Sequence, residues 1–438
     1  MRATRPLAAD FPTYSEADWR AAIARGRRTA DGRAGTADEA ALPLFRRRAD
    51  ALPLAATRPA AGWSIVQRID ATSAADALSQ LHEAIAGGAG GAAFVFGDCV
   101  HPLGGGIPTS AAPAIGKALR EQGPRNLALR IETCDPATVA IFSPLARDGV
   151  TVSAAADPIA AAATGAIDLG DVAAAIAAWV EIDGVAAIAD GRAWHAAGAS
   201  DAQELGVVLA TFVELLRHAG TAPRVELMLV ADSDQFATIA KFRAARLLTM
   251  RMAELTQLAG PLPAIHAETA WRTMSRLEPE TNMLRAGSAA FGAAAGGADS
   301  ISVLPFDALG DNSADGRRLA RNTSSIMAEE ASLADVADPG AGSGAIETTT
   351  ERLAEAAWRE FQEIEAAGGI VAALADGRLL AAIARERDAR LAAVADGNVR
   401  MIGVNAFRAD GSAGARRAPA PSRSDDRLRF VRLAEAFE

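Results

Sequence analysis

Residues 225–267 read VELMLVADSDQFATIAKFRAARLLTMRMAELTQLAGPLPAIHA, and this stretch holds the pattern that decides the fold. The apolar run at 225–230 is short and rich in branched side chains, which predicts a buried strand. Residues 235–257 form a long helix-favouring stretch, and a second short apolar run follows at 263–267. A strand, a helix and a strand in this order are typical of a parallel β/α/β unit.

The same alternation extends outward from this unit in both directions. Six further strands are predicted by short apolar runs near 64–69, 92–97, 127–132, 150–154, 185–189 and 300–304. Helical stretches such as 73–87 and 203–218 separate them, and Asp201 to Glu204 fits a capping box. Eight strands in strict alternation with helices predict an α/β protein with a parallel (β/α)8 TIM barrel. An open doubly wound sheet is the alternative, since both architectures bury their strands on two faces.

The barrel is flanked by segments of different composition. We predict an extended N-terminal arm and linker at 1–60 and the barrel at 61–331. A C-terminal helical extension is predicted at 332–407, and a linker with a terminal helix at 408–438. The extension is predicted to contain helices at 349–367 and 371–395. The stretch 408–424 is rich in Gly, Pro, Ser and Arg, as linkers are, and a last helix is predicted at 425–438.

Composition and charge exclude several classes of function. Half of the 438 residues are hydrophobic, so the chain can bury a large core. The formal net charge of −10 argues against a nucleic-acid surface, and no apolar run is long enough to span a membrane. Cys99 and Cys134 are too few for a disulfide scaffold or a zinc site, and the N-terminus lacks the apolar core of a signal peptide. We therefore expect a cytoplasmic protein without nucleic-acid, membrane or metal partners.

Three histidines lie at or just after predicted strands. His101, His195 and His266 end or follow strands two, five and seven, and active sites of barrels form at this C-terminal face. Glu268 is two residues beyond His266 and is a candidate partner for it. Such a pair could act as acid and base in an unrelated barrel enzyme. Ordinary buried histidines are the alternative, because no metal-ligand spacing or Ser-His-Asp order accompanies them.

Six short blocks occur in one order across the second half of the chain. They are IAKFRAARLL at 239–248, RNT at 321–323, EE at 329–330, DP at 338–339, QEIEAAGG at 362–369 and IGVN at 402–405. In this order they resemble the methylmalonyl-CoA mutase family. The resemblance implies a (β/α)8 barrel through which acyl-CoA threads, followed by a cobalamin-binding domain. It also implies adenosylcobalamin as the source of the radical that rearranges the carbon skeleton.

The departures from the family concern positions that would touch substrate and cofactor. Catalytic chains carry Arg-Gln-Tyr where this sequence has Val66-Gln67-Arg68, and Ala193 stands at the position of their catalytic histidine. The segment with the substrate-binding arginine has no counterpart between 133 and 185, and an Asp-x-His-x-x-Gly cobalamin motif is missing. The resemblance is therefore to the non-catalytic small (beta) subunit of the heterodimeric bacterial enzyme, without a cobalamin-binding domain.

This resemblance implies the function of a complex. A catalytic large subunit would be the partner in a heterodimer, would bind adenosylcobalamin and acyl-CoA, and would interconvert methylmalonyl-CoA and succinyl-CoA in propionate metabolism. This chain would bind no cofactor, would be inactive alone and would stabilise the large subunit. The alternative is a catalytic substrate-binding subunit of a related adenosylcobalamin-dependent acyl-CoA mutase, with its cobalamin domain on a separate chain.

No residue is assigned a catalytic, cofactor-binding or metal-binding role, and five are expected as vestiges at the top of the barrel: Arg68, Trp194, His195, His266 and Glu268. If acyl-CoA no longer threads the barrel, larger side chains should fill its axis, because protein interiors are close-packed. Arg68, Trp194 and Trp271 are the candidates. The arm at 1–60 carries scattered apolar side chains and is expected to wrap the partner.

Overall fold

The computed structural model describes residues 62–409 and 427–438, with gaps at 125, 156, 181, 219–223 and 259–260. Five positions before residue 22 are also described: Pro12, Ser15, Ala17, Asp18 and Ala21. The predicted arm at 1–60 otherwise lies outside the described residues, as does most of the predicted linker. None of the described helices is long and apolar enough to cross a membrane.

Eight parallel strands close into a barrel in the order of the sequence. They are β1 (Ser64–Ile69), β2 (Gly91–Val95), β3 (Ala128–Glu132), β4 (Thr151–Ala154), β5 (Val185–Asp190), β6 (Val225–Ala231), β7 (Ile265–Thr269) and β8 (Ser300–Ser302). Strand β8 pairs with β1 through Ser300 and Ser64, which closes the sheet. The predicted (β/α)8 barrel is confirmed, and the open doubly wound sheet is wrong.

Helices connect the strands and continue beyond the last one. Within the described residues they are α1 (Ala74–Ala86), α2 (Ala112–Gln122), α3 (Pro136–Ala140), α4 (Pro158–Thr164), α5 (Val172–Val180), α6 (Arg192–Ala196), α7 (Asp201–His218), α8 (Gln235–Thr256), α9 (Thr281–Ala295), α10 (Ala314–Ser325), α11 (Gly344–Ala366), α12 (Ile370–Ala375) and α13 (Arg378–Ala395). Ser73, Asp234 and Ser313 each accept a hydrogen bond from an amide in the first turn, which fixes where α1, α8 and α10 begin.

Two predicted helices near the C-terminus are wrong. The helix at 371–395 is interrupted at Gly377, which adopts a φ of +74° and separates α12 from α13. The helix at 425–438 is absent over its described part, where only Glu435–Phe437 form a 3₁₀ turn. The amides of Leu428, Val431 and Leu433 instead donate to carbonyls of the barrel at Ala163, Ala196 and Arg272. The barrel therefore satisfies the amide groups that a helix would satisfy internally.

The capping box of α7 lies one residue earlier than predicted. Ser200 Oγ accepts from the amide of Gln203, and Gln203 Oε1 accepts from the amide of Ser200. Glu204 does not take part because its carboxylate accepts from Lys241 Nζ at 2.6 Å and from the amide of Val230 at 2.8 Å.

Helix α11 packs against α7 and α8 on the outside of the barrel. Ala357, Phe361 and Ile364 of α11 are buried in the same hydrophobic cluster as Leu205 and Leu209 of α7. Gly206 permits this approach, because a Cβ at that position would lie 2.6 Å from Glu360 Cβ and 3.1 Å from the amide nitrogen of Phe361. A side chain at Gly206 would therefore push α11 away from the barrel.

We expect Gly206→Ala to lower the free energy of unfolding by about 1–3 kcal/mol, the usual effect of overpacking a core. The matched control is Gly287→Ala in α9, where nothing lies within 4 Å of the added Cβ. That substitution should raise stability by up to about 1 kcal/mol through helix propensity. Urea unfolding followed by circular dichroism measures both, and equal changes in the two variants would contradict the close approach of α11.

Candidate functional site

The axis of the barrel is lined by charged side chains. Alternate residues of a strand point to the same face, so the polar residues spaced by two in these strands share the interior. They are Arg68 of β1, Arg130 and Glu132 of β3, Asp190 of β5, Glu226 of β6 and Glu268 of β7, and each is at most 8% exposed. Branched aliphatic side chains usually fill such barrels. Here ion pairs take their place.

Arg192, which follows β5, lies at the centre of the group of charges nearer the C-terminal end of the barrel axis. Its Nη1 donates to Glu132 Oε1 at 2.9 Å and to Glu268 Oε2 at 3.1 Å. Its Nη2 donates to Asp190 Oδ2 at 2.7 Å. One guanidinium thus joins three strands across the axis. We call Arg192 and these three carboxylates the Arg192 network.

His101 and Arg68 border the Arg192 network. His101 Nε2 donates to Glu268 Oε1 at 2.8 Å, while its Nδ1 accepts from the amide of Leu103. Burial and the charge of Arg68 lower the pKa of His101, so the ring is neutral with its proton on Nε2. Burial alone would raise the pKa of Glu268, but Arg192 and His101 hold that pKa well below its ordinary value. Arg68 donates through Nε to Asp70 at 3.4 Å.

A second polar group lies nearer the N-terminal end of the axis. Glu226 Oε2 accepts from Ser153 Oγ at 2.6 Å and from His266 Nε2 at 2.9 Å, and His266 Nδ1 lies 2.6 Å from Ser300 Oγ. Burial would raise the pKa of Glu226, but the hydrogen bonds from His266, Ser153 and Arg224 lower it to about 2. Burial lowers the pKa of His266.

The predicted pair of His266 with Glu268 is therefore wrong. The two residues share a face of β7, but His266 bonds to Glu226 while Glu268 bonds to His101 and Arg192. His266 is also the second residue of β7, so it lies toward the N-terminal end of the strand and not at the C-terminal face. His266 bonds to the neighbouring strand β6, whereas Glu268 bonds to residues that follow β2 and β5.

His195 belongs to a separate cluster in the loops after β5, β6 and β7. Its Nε2 lies 3.2 Å from Asp232 Oδ2, which also accepts from Arg272 Nη2 at 2.9 Å. Burial, together with the charge of Arg272, lowers the pKa of His195 to about 3, so this histidine is neutral. Arg272 further donates to the carbonyls of His195 and Ala199. Arg272 thus holds the backbone of the loop after β5 in place.

The cations of the IAKFRAARLL block hold α8 against three different elements. Lys241 Nζ donates to Glu204 Oε2 at 2.6 Å and lies 2.8 Å from Asp201 Oδ1, both on α7. Arg243 Nη2 lies 3.2 Å from Asp338 and 2.9 Å from Glu347, beyond the barrel. Arg246 pairs with Asp299 beside β8. These family residues therefore stabilise the fold.

Apolar loops cover the C-terminal mouth of the barrel. Leu103, Ala196, Trp271, Met274 and Leu304 follow β2, β5, β7 and β8 and form one buried cluster, against which Phe430 packs. The guanidinium of Arg432 lies over the Trp271 ring, 5.9 Å from its centroid. A small cavity between β7 and α9, beside Thr269 and Asn282, has room for about one water.

Of the three side chains predicted to fill the axis, only Arg68 lies inside the barrel. Trp271 belongs to the mouth cluster, and Trp194 is buried among Ile159 and Leu205 in the layer between strands and helices. Arg192 fills the position across the axis that the tryptophans were expected to take. Arg192 and its carboxylate partners thus cross the barrel axis at the level of Glu132, Asp190 and Glu268.

Sequence reasoning missed Arg192, Glu132 and Glu226. The signal was present as polar residues spaced by two in otherwise apolar strands, Arg130 with Glu132 and His266 with Glu268. Such spacing places charges on one face of a strand that is buried on both faces. Arg192 itself lies in the short helix α6 after β5, where no periodicity marks it.

These features define a class of protein, a (β/α)8 barrel whose axis is closed by buried ion pairs. Residues 179–433 match the family described as methylmalonyl-CoA mutase, which is more than half of the chain. The chain belongs to this family.

Proteins named as small subunits are among its relatives. The methylmalonyl-CoA mutase small subunit of Streptomyces virginiae is 44% identical over 259 residues, which cover 57% of this chain and 42% of that protein. The probable small subunit of Mycobacterium tuberculosis is 34% identical over 375 residues, which cover 79% of this chain and 59% of that protein. The small subunit of Propionibacterium freudenreichii subsp. shermanii is 39% identical over 225 residues, which cover 48% of this chain and 35% of that protein. The predicted resemblance to small subunits is confirmed.

The chain spans about half the length of the curated relatives that it matches. Among solved structures, a match to dihydropteroate synthase of Burkholderia cenocepacia has a TM-score of 0.37 and 18% sequence identity. It covers 62% of this chain and 92% of the synthase chain. A likeness at that level supports no argument about function.

We expect Arg192→Met to lower the free energy of unfolding by about 3–5 kcal/mol, because it leaves three buried carboxylates without their cation. The matched control is Arg147→Met. Arg147 pairs with Asp183 at 3.0 Å on the surface, where both side chains are about 80% exposed. Loss of that pair should cost less than about 1 kcal/mol. Urea unfolding of both variants measures the difference, and similar small losses would show that the Arg192 network does not hold the interior together.

Proposed function

We propose that this chain is the non-catalytic small subunit of a heterodimeric, adenosylcobalamin-dependent methylmalonyl-CoA mutase. The observation that carries the proposal is the closure of the barrel axis by the Arg192 network. A barrel that binds a thioester along its axis needs an open interior, and here Arg192 joins Glu132, Asp190 and Glu268 across it.

The residues at the former catalytic positions support the same proposal. Arg68 stands where catalytic chains carry a tyrosine, and it is engaged with Asp70. Ala193 stands where they carry the catalytic histidine, and the nearby His195 is held by Asp232. A buried neutral histidine with a pKa of about 3 is a poor general acid or base near neutral pH.

In the proposed complex the large subunit binds adenosylcobalamin and acyl-CoA and interconverts methylmalonyl-CoA and succinyl-CoA. Adenosylcobalamin supplies the radical for that rearrangement. This chain contributes a second barrel that stabilises the large subunit, in the cytoplasm and as part of propionate metabolism. Arg68, Trp194, His195, His266 and Glu268 are then vestiges of the site, and no residue here is assigned to catalysis, cofactor or metal.

The alternative, a catalytic substrate-binding subunit, needs the same residues to be free for substrate. Glu268 is instead bound by His101 and Arg192, and His266 by Glu226 and Ser300. Releasing either one would leave a buried charge or acceptor without its partner, at a cost of several kcal/mol. These contacts favour the non-catalytic subunit.

The test is to assay the purified chain with and without the large subunit. The chain alone, with adenosylcobalamin and methylmalonyl-CoA in excess, should form no succinyl-CoA and should leave gel filtration colourless. The two chains together should co-elute, take up the red cofactor and turn over substrate. Succinyl-CoA formation by this chain alone would contradict the proposal and favour the catalytic alternative.

A further inference from the structure

The segment at 427–438 lies across the C-terminal mouth of the barrel, and we call it the mouth strap. Three of its backbone amides donate to carbonyls in the segments that follow β4, β5 and β7, at 2.9–3.0 Å: Leu428 to Ala163, Val431 to Ala196 and Leu433 to Arg272. These three segments belong to different sides of the mouth. The strap therefore joins elements that the barrel itself keeps apart.

Two side chains of the strap cover the apolar cluster at the mouth. Phe430 packs against the cluster that contains Trp271 and Met274. Arg432 is buried, at 2% exposed, and its guanidinium lies over the Trp271 ring. Its Nη1 also donates to the carbonyl of Met274 at 3.3 Å. One aromatic ring and one cation thus hold the strap down on the loop after β7.

The same arginine closes the strap on itself. Arg432 Nη1 and Nη2 donate to Glu438 Oε1 at 2.5 Å and to Glu438 Oε2 at 2.6 Å. Such a pair of parallel, charge-assisted bonds is strong and fixes the geometry of both groups. Glu438 Oε1 further accepts from the amide of Arg276 at 2.8 Å. The strap is therefore fastened at its end as well as along its length.

The strap and the apolar cluster lie over the Arg192 network. Leu103 of the cluster is two residues beyond His101, which bonds to Glu268. Ala196 of the cluster ends helix α6, which begins at Arg192. The loops that bring the network to the axis thus also carry the cluster that the strap covers.

The strap is held less firmly than the barrel beneath it. Within 427–438 the only regular structure is the 3₁₀ turn at Glu435–Phe437, and the backbone bonds to the barrel are isolated ones. Each such bond contributes about 1 kcal/mol net, whereas a barrel strand is paired on both of its sides. Segments with few bonds of this kind open locally at a lower free energy than the whole domain.

We propose that the mouth strap is a releasable lid, which closes the mouth of the barrel and opens as one unit while the barrel stays folded. Opening exposes the apolar cluster around Trp271. It leaves the Arg192 network in place, because Arg192 bonds to Glu132, Asp190 and Glu268 and to no residue of the strap. The lid thus controls the mouth, and the network separately closes the axis.

Hydrogen–deuterium exchange of the unaltered chain tests whether the strap opens by itself. Peptides covering 427–438 should exchange more slowly than an unstructured peptide of the same sequence. They should exchange at least about tenfold faster than peptides covering β6, because only the strap has a local route of opening. Dilute urea should change the rate of the strap little, since local opening exposes little surface.

Phe430→Ser with Arg432→Met tests the contacts that hold the lid. Exchange at 427–438 should speed by about tenfold or more, and the dye 8-anilinonaphthalene-1-sulfonate should bind to the uncovered cluster. The matched control is Phe236→Ser with Arg378→Met. Phe236 is 48% exposed and the Arg378 side chain is 81% exposed, both away from the strap, so both readouts should stay unchanged.

Three results would overturn the proposal. The first is exchange of the unaltered strap at the rate of β6, with the same steep dependence on urea, since the strap would then open only with the whole barrel. The second is loss of protection in β6 of the double variant, which would make the strap part of the core and not a lid. The third is a double variant that neither exchanges faster at 427–438 nor binds the dye.

Discussion

The guanidinium of Arg192 in the barrel axis is the contact on which the rest of the interior depends. Glu132, Asp190 and Glu268 reach the axis from three different strands, and each is almost entirely removed from water. Burying a carboxylate costs free energy unless cations and hydrogen-bond donors compensate for the lost hydration. Arg192 donates to all three, so it both permits their burial and binds the strands together. The same contacts occupy the space that a ligand on the axis would need.

The cations of the IAKFRAARLL block lie on the outside of the barrel, whereas the Arg192 network lies on its axis. Lys241, Arg243 and Arg246 on α8 pair with acids on α7, on the C-terminal extension and beside β8. Breaking one of these buried pairs would leave an uncompensated charge, so a chain can lose its chemistry and still require these residues to fold. In the proposed non-catalytic subunit, which would bind no substrate, the interior would carry no such restriction. This division explains why packing blocks remain in a barrel whose axis is closed.

The strands and the barrel could be predicted because each strand is a short apolar run between helical stretches, and all eight predicted runs overlap the strands of the structure. The helix predicted at 425–438 was wrong, since those residues bond to barrel loops that local sequence does not reveal. The site was harder to predict. His266 and Glu268 are two residues apart, but their partners are set by the register of β6 with β7 and by loops after β2 and β5. Propensity and spacing carry no information about partners across a closed barrel.

The central claim is that this barrel admits no acyl-CoA, so that a complex of two barrels has a single substrate site. Equilibrium dialysis of the complex reconstituted with the large subunit, using labelled methylmalonyl-CoA, tests the claim most directly. We predict one bound acyl-CoA for each pair of barrels. Two bound acyl-CoA molecules for each pair, or binding by this chain alone, would contradict the account.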